Sequence, residues 1–145
     1  MALKISSVLL KELHEHIESA HPGEGAGFLL GEDTGGARIV RALVPLSNAR
    51  EESARFNRFL LTAEDYLKGE MAADESGLSL LGVFHSHPDC VNVPSEYDRE
   101  WAMPWFSYII SRVDGGAPAH TVSDLSWRLR DDREGYDEET LIVTK

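Results

Sequence analysis

The stretch that most constrains this chain is residues 85–98, HSHPDCVNVPSEYD. It follows an apolar run, Leu78-Ser79-Leu80-Leu81-Gly82-Val83-Phe84, whose length and composition predict a buried strand. His85 and His87 are two residues apart, so a strand that persists through them projects both imidazoles from one face. Pro88 then ends ladder pairing, because it carries no N–H. Pro94 precedes Ser95, a favoured N-cap residue, and Ser95 and Asp98 stand at i and i+3 on the short helix expected there. Two neutral imidazoles and a carboxylate converging from a strand end and a helix start supply the ligands a catalytic zinc ion takes. Such a site leaves its fourth position to water.

A lone His-x-His pair is a weak signal, since a histidine packed in a core reads the same way. The whole spacing, H-x-H-x7-S-x-x-D, fixes four positions and is far more specific. It resembles the signature of the JAMM (MPN-plus) metalloprotease family, also called JAB or Mov34-type domains. Here His85, His87, Ser95 and Asp98 carry the match, with Gly82 and Pro88 also in the family's places. The family's remaining element is an upstream Glu ahead of a strand bounded by glycines. Glu24-Gly25-Ala26-Gly27-Phe28-Leu29-Leu30-Gly31 fits it. The resemblance covers residues 3–113 and thins out beyond them.

The resemblance implies one catalytic zinc held by His85, His87 and Asp98, Glu24 as the base that takes a proton from water, and Ser95 as a donor to the oxyanion. On residue type alone, Glu24 is an ordinary carboxylate before a strand, and Ser95 is equally an N-cap. The implied reaction is hydrolysis of a peptide or isopeptide bond after the C-terminal Gly-Gly of a ubiquitin-fold protein. The chain has little room for the insertions of the deubiquitinating branch and resembles the compact bacterial members. The implied partner is therefore a sulfur-carrier protein of the ThiS/MoaD type, processed at its tail or relieved of an amino acid. A flexible Gly-Gly tail suits a groove beside a strand edge. Two rival readings are a non-catalytic scaffold of the same fold and a zinc amidohydrolase acting on a small amide.

Length and charge fit that reading. A chain of 145 residues lies in the single-domain range and can bury a sizeable core, so residues 1–145 are expected to form one domain. With 25 acidic against 14 basic residues, the net charge of -11 argues against nucleic acid or an anionic membrane as partner. No apolar run reaches transmembrane length, and the N-terminal segment is too charged for a signal peptide, which predicts a cytoplasmic protein. The single cysteine, Cys90, excludes an internal disulfide. It lies between the expected ligands and is either a plain loop residue, the simpler reading, or a spare ligand or redox-sensitive thiol.

Along the rest of the chain, Ser6 or Ser7 caps a helix to Ala20, with Leu9, Leu10, Leu13, Ile17 and Ala20 toward the core. His14 and His16 fall on different faces of it and read as solvated or satisfied at the surface rather than as ligands. A hairpin joins strands over 27–31 and 38–46, followed by a loop containing Asn48. A strand is expected over 55–60. Thr62 and Asp65 form a capping box opening a helix that ends at Gly77. The short motif helix should reach Met103 and stop at Pro104. Trp101, Trp105 and Phe106 read as core. Strands follow over 106–113 and 122–130, a solvated charged loop over 131–139, and a last edge strand over 141–143. Together these elements make an α/β domain with a mixed, curved sheet flanked by helices, as in the JAMM/MPN and cytidine-deaminase-like folds.

Overall fold

Among the described residues, seven strands close into a barrel in the order β1-β3-β2-β4-β5-β6-β7. They are β1 (Ala2–Ser6), β2 (Ala26–Asp33), β3 (Arg38–Leu46), β4 (Ser79–Pro88), β5 (Ser107–Asp114), β6 (His120–Leu129) and β7 (Tyr136–Thr144). Helices α1 (Ser7–Ala20), α2 (Ala63–Ser76) and α3 (Glu96–Trp101) accompany them. The computed structural model describes residues 2–47 and 61–145, so the strand expected over 55–60 and the loop residue Asn48 lie outside the described residues. β1 runs parallel to β3 and β7, and β4 runs parallel to β5; the other pairs are antiparallel. The expected mixed, curved sheet flanked by helices is borne out, with the curvature carried to closure. No helix among the described residues is long and apolar enough to cross a membrane.

The helices form where the sequence stops the strands and caps the next turn. Ser6 is the N-cap of α1 and accepts from Leu9 N at 3.2 Å. The apolar stripe of α1 buries Leu13 and Ile17 against Leu3, Ile5, Leu29, Phe84 and Ile109. Truncating either helix residue to Ala would cost about 2–5 kcal/mol. The capping box expected at Thr62 and Asp65 is present, and α2 ends on Gly77 in the left-handed region at φ 70. A second cluster, containing Phe28, Val83, Phe106 and Tyr108, has Tyr66 of α2 packed against it. One helix therefore serves each cluster, and the sheet between them is held from both sides.

Several expectations are corrected. β1 was not anticipated: its five residues run directly into the helix cap and are too few to show a period. The charged run over 131–139 is not all loop, because β7 begins at Tyr136, and Glu139 is buried at 5% exposure. The last strand is longer than expected and is no edge, since it pairs with both β6 and β1. α3 ends at Trp101, short of Met103. Phe106 is core, but Trp101 and Trp105 are 55% and 62% exposed, so the core reading of these two is wrong. His14 and His16 are satisfied as expected: His14 Nε2 lies 2.9 Å from Asp124, and His16 Nε2 lies 3.0 Å from the Ala26 carbonyl.

Candidate metal centre

Two features of the topology bring the motif residues to one place. Parallel strands cannot be joined by a hairpin, so the connection from β4 to β5 must return the chain across the barrel end. α3 lies in that crossover, which brings Ser95 and Asp98 back over the end of β4, where His85 and His87 stand. The second feature is the antiparallel register of β2 with β4. Ala26 faces His85, and extending the register by two residues sets Glu24 opposite His87. The extension is held by two bonds: Ser86 N donates to Gly25 O at 3.0 Å, and Gly25 N donates to Ser86 Oγ at 2.8 Å. Ser86 is fully buried. Gly82 is required further back, where a Cβ would run into the carbonyl of Ser107 on β5.

At this barrel end one ligand atom each from His85, His87 and Asp98 lie within 4.8 Å of one another. Nε2 of His85 is 3.7 Å from Asp98 Oδ1, and Nε2 of His87 is 3.3 Å from Asp98 Oδ2. Ligand atoms around tetrahedral zinc stand about 3.4 Å apart, so the set fits that ion with little adjustment. The tautomer fits as well. Nδ1 of His87 lies 2.8 Å from the Val91 carbonyl, which can only accept; Nδ1 therefore carries a proton, and Nε2 is the nitrogen turned inward toward Asp98. Asn92 holds that loop, donating through Nδ2 to Ile110 O at 3.2 Å and accepting from Trp127 Nε1 at 3.1 Å.

Asp98 is aimed by the helix it starts. Its Oδ2 accepts from Ser95 N at 2.8 Å, while Asp98 N donates to Ser95 Oγ at 3.1 Å, a reciprocal capping box. Ser95 Oγ thus spends acceptor capacity on the cap and keeps its own O–H proton for another acceptor. Burial opposes the Asp98 anion, but His85, His87 and the Ser95 N–H outweigh it and hold the carboxyl well below its ordinary range. Burial pushes His85 down, toward the neutral form that ligates metal. Burial also opposes the cation at His87, but the Asp98 hydrogen bond and the Val91 carbonyl outweigh it and raise His87, with Glu24 near enough to add to the effect. Clefts flank the centre: one of about 250 Å³ lined by His16, Pro22, Glu24 and Leu46, and one of about 260 Å³ lined by Val93, Ser95, Trp127 and Tyr136.

The structure therefore brings His85, His87 and Asp98 together, sets Ser95 at their rim through the cap, and places Glu24 beside His87. Cys90 is exposed and stands outside the ligand group. Sequence reasoning missed Val91 and Asn92, which act through backbone carbonyls and a loop anchor that no residue spacing announces. It also missed Asp98 as half of a capping box, although the S-x-x-D spacing carried that signal.

The sequence profile of prokaryotic homologs of the JAB domain matches residues 6–130. The chain belongs to this family. It is a compact prokaryotic JAMM/MPN member, as the motif implied. It is 34% identical over 113 residues to the desampylase of Haloferax volcanii, covering 77% of this chain and 78% of that protein. It is 31% identical over 118 residues to a probable TtuB-protein conjugate cleaving protease of Thermus thermophilus, covering 79% of this chain and 73% of that protein. Among solved structures, a protein of Desulfitobacterium hafniense aligns with TM-score 0.81 at 27% identity, covering 99% of this chain and 93% of its own. A structure described as a JAMM metalloprotease-like zinc site in the proteasome and signalosome aligns with TM-score 0.57 at 25% identity over 100% of both chains.

Proposed function

We propose that this JAMM-family chain is a zinc-dependent metallopeptidase, acting as one catalytic domain in the cytoplasm. It hydrolyses the peptide or isopeptide bond after the C-terminal Gly-Gly of a ubiquitin-fold protein, and the partner we favour is a ThiS/MoaD-type sulfur carrier. The observation that carries this reading is the convergence of His85, His87 and Asp98 at the barrel end where the β2–β4 register delivers Glu24. The names of the relatives, a desampylase and a protease of TtuB conjugates, support the substrate class. Space for a flexible tail is consistent with it too. β1 covers only Arg38 and Ile39 of β3, so from Val40 onward β3 has no strand on its second side among the described residues.

His85, His87 and Asp98 would hold the zinc, which supplies Lewis acidity and a water acidic enough to lose its proton near neutral pH. Glu24 takes that proton on its carboxylate and returns it to the leaving amine. Ser95 donates its O–H to the oxyanion of the tetrahedral intermediate, the proton its capping bond leaves available. Asp98 stays ionised throughout, held so by the Ser95 N–H and the two histidines. The test is zinc analysis of the purified protein, paired with mass spectrometry of a Gly-Gly-tailed carrier bearing an extra C-terminal residue. Wild type and Glu24→Ala are run side by side. One zinc per chain, with removal of the residue by wild type only, is the expected result. Zinc without cleavage in either would sink the proposal in favour of a scaffold or another substrate class.

A further inference from the structure

We propose that His21 and Asp89 form a clip that positions the Glu24 carboxylate at the metal centre; the inference rests on the hydrolase reading above. Glu24 lies in the segment between the end of α1 and the start of β2, where regular hydrogen bonding gives out on both sides. On its C-terminal side, Gly25 is fastened to Ser86, the residue between the two histidines. On its N-terminal side, Gly23 N donates to Ala20 O at 2.8 Å, and His21, the C-cap of α1, reaches across to β4's continuation, its Nε2 2.9 Å from Asp89 Oδ2. Asp89 is the residue after Pro88, so both ends of the Glu24 segment are tied to the same strand and its immediate continuation.

Asp89 is built for the task. It sits at φ 54, in the left-handed region that non-glycine residues rarely adopt, which turns the chain just past the ligand strand. Its N–H donates to Val113 O at 2.8 Å, and its Oδ1 accepts from Gly115 N at 2.6 Å, which leaves Oδ2 aimed at His21. The His21 ring is mostly covered and lies against Gly115, where an added Cβ would come within 3.0 Å of it. The carboxylate of Asp89 therefore joins three segments: the β4 end, the β5–β6 turn, and the stretch that carries Glu24. Neither residue reaches the ligand group itself. A base that must meet a water held by fixed ligands needs its backbone fixed relative to those ligands, and the clip ties the N-terminal side of that backbone to the end of the ligand strand, as Ser86 ties its C-terminal side.

The test uses the full, zinc-loaded chain with His21→Ala, Asp89→Ala, both together, and His21→Gln. Cleavage of the carrier conjugate and zinc stoichiometry are measured in each. Both single Ala variants should lower kcat about 10- to 100-fold, the scale of a small misplacement of a reacting group, with KM and zinc content unchanged. The double variant should be no worse than the worse single, because the two residues act as one unit. His21→Gln, whose amide can still donate to Asp89, should recover most of the lost kcat. Multiplied losses in the double variant, loss of zinc in a single variant, or an unchanged kcat would each overturn the clip. If wild type itself fails to cleave, the proposed function falls, and amide exchange of residues 23–25 decides the clip separately. Faster exchange in Asp89→Ala than in wild type upholds it, and equal exchange overturns it.

Discussion

At its start, β4 meets a network led by buried guanidinium donors; at its end, it meets two imidazole nitrogens and a carboxylate turned toward one another. Near the start, Arg38 donates to Ser107 Oγ at 2.5 Å and to Leu81 O at 2.6 Å. Glu139 accepts from Ser126 Oγ at 2.9 Å, with Arg128 at 3.5 Å. Four to six residues further along the strand, on the order of 13–20 Å, two imidazole nitrogens and a carboxylate point at one another. A buried set in which guanidinium donors meet a carboxylate and backbone oxygens serves to hold strands together, even with Nε of Arg38 and of Arg128 left without a hydrogen-bond partner. A buried set of converging lone pairs is complete only with a cation. The same strand therefore has a structural end and a chemical end, and they differ in donor–acceptor balance rather than in burial.

The comparison can be broken most decisively at the chemical end. Asp98→Ala should reduce zinc from about one per chain to background and cleavage with it, since a three-ligand site does not survive loss of its only carboxylate. Inductively coupled plasma analysis beside an activity assay reads both. Glu24→Gln comes next. It should keep the zinc and lower kcat by about 10²- to 10⁴-fold, the usual worth of a positioned general base. If zinc is lost in that variant, Glu24 belongs to the ligand set and the assignment of roles is wrong.

At the structural end the effects should be on stability. Glu139→Ala leaves Arg128 and Ser126 without their partner and should cost about 2–4 kcal/mol in urea unfolding, with zinc content and kcat unchanged in the folded fraction. A change in kcat would mean that the two ends of β4 are coupled.

The smallest expected effect concerns α1. Burial disfavours the His14 cation, but the hydrogen bond and charge of Asp124 outweigh it, so His14 is raised above its ordinary 6.5. A histidine raised in the folded state stabilises fully below its unfolded value, and the contribution is lost as pH rises through the folded one. The melting-temperature advantage of wild type over Asp124→Asn should therefore be largest below about pH 6.5 and shrink on the alkaline side. An advantage that grows with pH would contradict the assignment.

The chemical end was legible in the sequence because its parts lie close together along the chain. His85, His87, Ser95 and Asp98 occupy one short stretch, and the strand and helix-cap signals around them are local. Glu24 was reached only through the family's pattern, since its approach to His87 depends on a register between strands far apart in sequence. The structural end was almost invisible for the same reason. Arg38, Ser107, Ser126 and Glu139 come from four strands, and Glu139 sits in a run whose charge reads as solvated loop. Trp101 and Trp105 misled in the other direction, because an aromatic is core only if the fold covers it, and here no element does so fully.

Barrel closure has a consequence for how the chain comes into being. β1 pairs with β7, Ala2 beside Thr140 and Ser6 beside Thr144, so of the barrel's strands the earliest in chain order must wait for the latest. Until then the nascent chain carries unpaired strand edges on β1 and β6, the kind of surface that recruits other chains. Contacts of such long sequence separation also slow folding. Deletion of β7 would freeze the protein in that vulnerable stage, with every proposed zinc ligand present and the barrel that holds them still open.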